Sequence, residues 1–218
     1  MEAIDKDPTF IVRSESPVCG GPPLDRLVSR PLTWREDFFV RNHGAIPDLD
    51  VDHWRLSVEG LVATPMTLTL GELTSRFARR DAVVTLQCAG NRRDELIAIR
   101  EIPGEVPWGA EAVSTARWGG VSLADVLGAA GVRDGATHVW FEGLDAVTRH
   151  GHTFGFGSSI DLARALAGDV LLADRMNGDA LPAEHGYPLR AVIPGYIGAR
   201  SVKWLGRIIG SDRPTDNY

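Results

Sequence analysis

Residues 82–93 read Ala82-Val83-Val84-Thr85-Leu86-Gln87-Cys88-Ala89-Gly90-Asn91-Arg92-Arg93. The β-branched, apolar run predicts a buried strand over Ala82–Gln87 that ends on a lone cysteine. The small pair Ala89-Gly90 lets the backbone come close to whatever the sulfur touches. Arg92 and Arg93 lie within five residues of Cys88, where their charge would lower a thiol pKa and attract anions. On residue chemistry alone, Cys88 is a small buried side chain, a nucleophilic thiolate or a soft ligand to a metal. Zinc is disfavoured, because no second Cys or close-spaced His stands nearby.

Outward from this strand, the pattern is of short strands and short helices. Trp54-Arg-Leu-Ser-Val-Glu-Gly60 alternates with period two, and Val58 to Leu70 reads as a hairpin turning at Ala63-Thr64-Pro65. Thr69 with Glu72 is a capping box opening a helix across Leu73 to Ala78. Ser122 with Asp125 reads as a second cap, for a helix from Leu123 to Ala130 stopped by Gly131. Strands are expected at His138-Val-Trp-Phe-Glu, Val170–Ala173, Leu189–Ile193 and Val202–Ile209, with a helix over Ile160–Leu166. They do not alternate regularly with helices, so the fold class is α+β, with mixed β-sheets. Residues 1–36, rich in Pro, Ser and charge, read as an irregular arm, and residues 37–218 as the domain.

The 218 residues fit one domain, and 44% hydrophobic with 24% charged residues is ordinary globular composition. A net charge of −6 argues against a general nucleic-acid binder. No stretch has 18 consecutive apolar residues and no signal peptide is visible, so no membrane span and a cytoplasmic location are expected. A periplasmic location would require a leader that has been removed. Two cysteines are too few for a disulfide framework.

Two further clusters carry chemistry. Phe38-Phe-Val-Arg41-Asn42-His43-Gly puts three hydrogen-bonding side chains in a row after an aromatic pair: a polar site beside a core edge, or a surface turn. His185-Gly-Tyr187-Pro-Leu-Arg190 and Pro194-Gly-Tyr196-Ile-Gly-Ala-Arg200-Ser201-Val202-Lys203-Trp204 mix glycines with cations. That mixture suits a loop wrapping a phosphate-bearing ligand, or two ordinary strand connections with surface charge. Gly155-Phe-Gly157-Ser-Ser lacks the third Gly and the strand-to-helix setting of a dinucleotide fingerprint.

Together the clusters resemble the sulfite oxidase family of molybdenum–molybdopterin enzymes. The resemblance runs from about Pro31 to Gly210, in the family's motif order, and adds Gly109-Ala-Glu-Ala-Val-Ser-Thr-Ala-Arg117-Trp118-Gly-Gly-Val-Ser-Leu123, Met176-Asn-Gly178 and Leu181-Pro182. It implies that Cys88 ligates molybdenum and that the pterin dithiolene brings the other sulfurs. Arg41 and Arg93 match the family's oxyanion-pocket arginines, and Trp108 an aromatic residue lining that pocket. Asn42, His43, His185, Arg190, Ser201, Val202 and Lys203 match positions that hold the pterin and its phosphate. The implied reaction is oxygen-atom transfer, sulfite to sulfate first, with two electrons passed to a separate acceptor such as a cytochrome or oxygen. Asp174 stands where family sulfite oxidases carry a Tyr in Leu-Leu-Ala-Tyr; a carboxylate there would repel a sulfite dianion, leaving Tyr187 or Tyr196 to compensate. That substitution keeps open another small sulfur substrate, such as a sulfoxide, and a cofactor-free binding or assembly module is the alternative of a different class. The family continues into an immunoglobulin-like dimerisation domain, expected to be absent from this sequence.

Overall fold

In chain order, β1 (Ile11–Glu15), β2 (Val18–Gly21) and α1 (Leu24–Leu27) precede β3 (Leu56–Gly60), β4 (Met66–Leu68), α2 (Leu70–Arg76) and β5 (Arg79–Gln87). Then come α3 (Arg93–Ile97), β6 (Val113–Ser122), α4 (Leu123–Ala130), β7 (His138–Gly143), β8 (Val147–Arg149) and β9 (His152–Phe154). The last part holds β10 (Gly157–Asp161), α5 (Leu162–Ala165), β11 (Leu171–Met176), β12 (Asp179–Ala180), β13 (Arg190–Val192) and β14 (Leu205–Ser211). These elements come from a computed structural model that describes residues 4–149 and 151–217.

Two larger sheets organise the chain. One has the order β10-β7-β14-β3-β4, with β14 and β3 parallel and its other pairs antiparallel. The other has the order β12-β11-β6-β5, and β13 also pairs with β11. One apolar cluster joins Leu56, Val58, Phe141, Ile208 and the buried face of α4; a second gathers Phe38, Phe39, Leu86, Trp108, Trp118 and Val192. The α+β class with mixed sheets and short helices is the architecture observed.

Local signals explain two of the helices. Thr69 accepts from the Glu72 N–H at 3.1 Å while the Glu72 carboxylate accepts from the Thr69 N–H at 2.8 Å, the reciprocal capping box of α2. Gly131 closes α4 with a φ of 68°, where a side chain would be strained. The second proposed cap is corrected. Ser122 precedes α4, but its hydroxyl donates to Gly168 O at 3.3 Å and caps nothing.

Several elements escaped the pattern, β6 and the hairpin β1–β2 foremost. β6 is a ten-residue strand interrupted in sequence by Gly119-Gly120. A Cβ at Gly120 would lie 2.0 Å from Leu172 O on β11, so the glycine marks close backbone approach, not a break. Residues 1–36, expected to be an irregular arm, contain the hairpin β1–β2. Val18 and Cys19 are fully buried, and Gly20 pairs with Val40 across the expected boundary. Cys-Gly-Gly reads as loop, yet a Cβ on Gly21 would meet the Glu111 side chain at 2.6 Å; again glycine lets backbone pack tightly.

Candidate functional site

A cavity of about 340 Å³ opens where β5 ends and β14 begins. β5 delivers Cys88 to its rim, half-buried, with Sγ accepting from the Gly90 N–H at 3.3 Å. Gly198 allows the 198–201 turn to approach this point: a Cβ there would sit 3.2 Å from Gln87 O. Arg92 takes a left-handed φ of 64° and turns to Glu95 at 2.7 Å, leaving only Arg93 on the cavity. Arg93 folds back so closely that a Cβ on Gly90 would lie 2.6 Å from its guanidinium. Its Nη1 donates to Val106 O and pairs with Glu105, both at 3.0 Å.

The opposite wall is cationic and buried. Arg190 is 5% exposed and donates to His185 O at 2.9 Å and Ser201 O at 3.1 Å, with its guanidinium 4.8 Å from the Trp118 ring centre. Burial pushes its pKa down to about 9. Lys203 donates to Glu184 O at 2.9 Å and to Asn42 Oδ1; burial, then the neighbouring Arg190, lower it to about 7. Trp204, at a left-handed φ of 50°, lays its ring 4.2 Å from the Lys203 ammonium and donates from its indole to Ala183 O at 2.8 Å. His185 is 2% exposed, and burial followed by the charges of Lys6, Lys203 and Arg190 holds it well below the usual histidine range. It is therefore neutral at physiological pH.

Between the walls lie Arg41, Asn42 and His43. Arg41 donates to Asn42 O and has Nη1 3.6 Å from Cys19 Sγ. His43 stacks on Phe156, with centroids 4.4 Å apart and planes at 12°. The Asn42 Nδ2 group is buried and has no hydrogen-bond partner among the described residues.

Of the twelve residues singled out in the sequence, nine line this one cavity: Arg41, Asn42, His43, Cys88, Arg93, His185, Arg190, Ser201 and Lys203. Three do not. Trp108 is fully buried behind Phe39, packed edge-on with centroids 6.4 Å apart, and its indole N–H has no partner among the described residues. Val202 is a core residue whose carbonyl accepts from the Ala191 N–H at 2.8 Å. Asp174 lies off the cavity: it falls at the β11 bulge opposite β6, and its carboxylate pairs with Arg79 of β5 at 2.7 Å. Its proposed part in shaping the pocket is corrected on that ground, as is the compensating role of Tyr187 and Tyr196, neither of which lines the cavity.

The structure adds Glu105, Asp145, Phe156 and Arg200. Asp145, raised in pKa chiefly by burial, accepts from the Phe156 N–H at 3.0 Å; Arg200 donates to Ser158 Oγ at 2.9 Å. Arg200 was within reach of sequence reasoning, beside Gly198-Ala199. The others arrive on loops whose path no local pattern records.

The donor set suits the expected group. Among the described residues no three His, Cys, Asp or Glu side chains gather as a metal site, so a metal at Cys88 takes its remaining ligands from elsewhere. A wall with Arg190 and Lys203 in no ion pair among the described residues, plus an orphaned Asn42 amide, calls for a bound anion with polar edges.

Comparison with known proteins agrees with that geometry. Residues 43–218 match the model of the oxidoreductase molybdopterin binding domain. Sulfite oxidase of Gallus gallus is 47% identical over 93% of this chain and 44% of its own. The mitochondrial sulfite oxidase of Homo sapiens is 44% identical over 98% of this chain and 39% of its own. An Aspergillus niger NADPH nitrate reductase is 40% identical over 99% of this chain and 25% of its own. This chain thus spans less than half the length of each of these relatives. Among solved structures, the sulfane dehydrogenase SoxCD of Paracoccus pantotrophus superposes with a TM-score of 0.76 at 26% identity, over 99% of this chain and 51% of the other. With most of its length inside the matched model, and with Cys88 and a cationic wall on one cavity, the chain belongs to the family of oxidoreductase molybdopterin-binding domains.

Proposed function

We propose that this domain transfers an oxygen atom to a small sulfur oxyanion, sulfite to sulfate, with the molybdenum cofactor seated in the 340 Å³ cavity. The observation that carries the reading is Cys88 on the same cavity as Arg41, Arg93, Arg190 and Lys203. When bound, the cofactor supplies the metal centre that exchanges oxygen and two electrons. Cys88 offers a thiolate to hold it. Arg190, Lys203, His185, Ser201 and the Asn42 amide form the cradle for pterin and phosphate. Arg41 and Arg93 supply positive charge to dock and orient an anion, bidentate where a guanidinium meets two oxygens. In sulfite oxidation a water oxygen is added, and two protons and two electrons leave; the electrons go to a separate acceptor, such as a cytochrome or oxygen.

A second reading, a less charged substrate such as a sulfoxide, draws support from Glu105 rather than from Asp174. Glu105 stands on the cavity and neutralises Arg93. Protein made in a cofactor-competent host is expected to hold one molybdenum per chain and to oxidise sulfite faster than it turns over sulfoxides. Cys88→Ser is expected to abolish turnover. Metal-free protein, or a fully active Cys88→Ser variant, would sink the proposal, and faster sulfoxide turnover would favour the second reading.

A further inference from the structure

We propose that Lys6, on the N-terminal arm, is a positioning residue for the cradle: it donates to His185 Nε2 and thereby holds that ring in its Nδ1–H form. Lys6 lies outside the segment that matches the family model, which begins at residue 43. Its side chain is nevertheless 4% exposed. The ammonium sits 2.6 Å from Arg35 O, 2.7 Å from His185 Nε2 and 3.4 Å from Glu184 Oε1. An ammonium has only protons to offer, so the ring nitrogen it meets must be the acceptor. The single proton of a neutral imidazole then rests on Nδ1.

The arm is fastened on both sides of this contact. Asp5 pairs with Arg35, the Asp7 N–H donates to Glu36 O at 3.2 Å, and Asp7 pairs with Arg26 at 2.9 Å. Phe38 packs edge-on against the His185 ring from another side, with centroids 5.1 Å apart. Lys6 therefore belongs to the wall of the cavity, one layer behind its lining. The charged groups around the ring are Lys6, Arg190 and Lys203, with Arg35 and Asp5 beside Lys6 and the Glu184 carboxylate on its far side. The inference rests on the reading of the cavity as a cofactor cradle for what the Nδ1–H serves, whereas the ring contact stands on geometry.

The test is ¹⁵N-histidine labelling of the full chain, with the His185 signals identified by their loss in His185→Gln. Wild-type protein is expected to show a neutral ring with Nδ1 protonated and Nε2 bare but hydrogen-bonded. In Lys6→Met the Nε2 donor is gone and Glu184 loses its cation. The proton should shift to Nε2, or the ring should titrate about one unit or more higher. Lys6→Arg, which keeps a cationic donor, should restore the wild-type pattern. An unchanged tautomer and titration in Lys6→Met overturns the proposal. If Lys6→Met fails to fold, the wild-type spectrum decides: a ring protonated at Nε2 overturns the proposal, and one protonated at Nδ1 upholds it. Molybdenum content, measured on the same wild-type sample, reports separately on the cofactor reading.

Discussion

The two ends of the cavity hold their positive charge in different ways. At the Cys88 end, Arg93 has a counter-ion of its own, Glu105 at 3.0 Å, and neighbouring Arg92 has Glu95. At the far end, Arg190 and Lys203 face backbone carbonyls, an amide oxygen and tryptophan rings, and both are pushed toward neutrality. Asp145 and Glu184 offset the Lys203 charge only in part, and a cation so stripped of water is unfavourable in the empty protein and becomes favourable when an anion fills the space. Under the proposed function, that end suits a resident, phosphate-bearing group. The Arg93 end holds its charge ready and pre-neutralised, as suits a ligand that comes and goes.

The comparison breaks most visibly at Lys203. Lys203→Met should weaken cofactor retention about 10- to 100-fold, as for loss of an ordering partner. It should also stabilise the empty domain at pH 6 by about 1 kcal/mol, the relief of charge burial outweighing two lost hydrogen bonds. Cofactor content and melts of empty protein check the two halves, and a variant that loses stability while keeping cofactor would remove the distinction between the ends.

The next effect is a pH dependence with a definite sign. Lys203 and Lys6 titrate near 7 and 8 in the fold against an ordinary 10.5, so between those values and 10.5 the unfolded chain binds more protons. Stability of the empty domain should therefore rise with pH from about 7 to about 10, with buried Arg190 extending the rise beyond that. His185 adds a further fall below pH 6.5, where the unfolded imidazole takes up a proton that the buried one refuses. Bound inorganic phosphate should return the lysines toward their ordinary values and flatten the slope. Chemical denaturation at pH 6.5, 8 and 9.5, with and without phosphate, measures it.

What the sequence disclosed of this site follows the chemistry of single segments. Cys88 was legible because an apolar run ends on it and a small pair and arginines follow. His185, Arg190, Ser201 and Lys203 were legible as cations and hydroxyls among glycines, reinforced by the family resemblance. Asp174 entered through the family resemblance, which aligns it with a Tyr, whereas in the fold it lies at the register slip between Ala173 and Arg175 and Arg79 claims its carboxylate. β6 was hidden by a glycine pair whose purpose is contact with β11. Lys6, Glu105 and Phe156 come from distant loops, and only tertiary packing brings them to the cavity wall. Nothing within a few residues of each records that journey.

The smallest expected effect tests the exchangeable end. Glu105 is 37% exposed and Arg93 17%, so their ion pair is worth at most about 1 kcal/mol. An incoming oxyanion must displace that carboxylate from the guanidinium before it can use both donors. Glu105→Gln should therefore tighten binding of inorganic sulfate, and lower the KM for sulfite, by about three- to fivefold, with kcat little changed because the interaction is made equally in ground and transition states. Arg93→Gln should weaken both by more than that and abolish the benefit of Glu105→Gln in the double variant. If Glu105→Gln instead weakened sulfate binding, Glu105 would be holding Arg93 in its docking pose, and the mouth would resemble the cradle in being fixed rather than exchangeable.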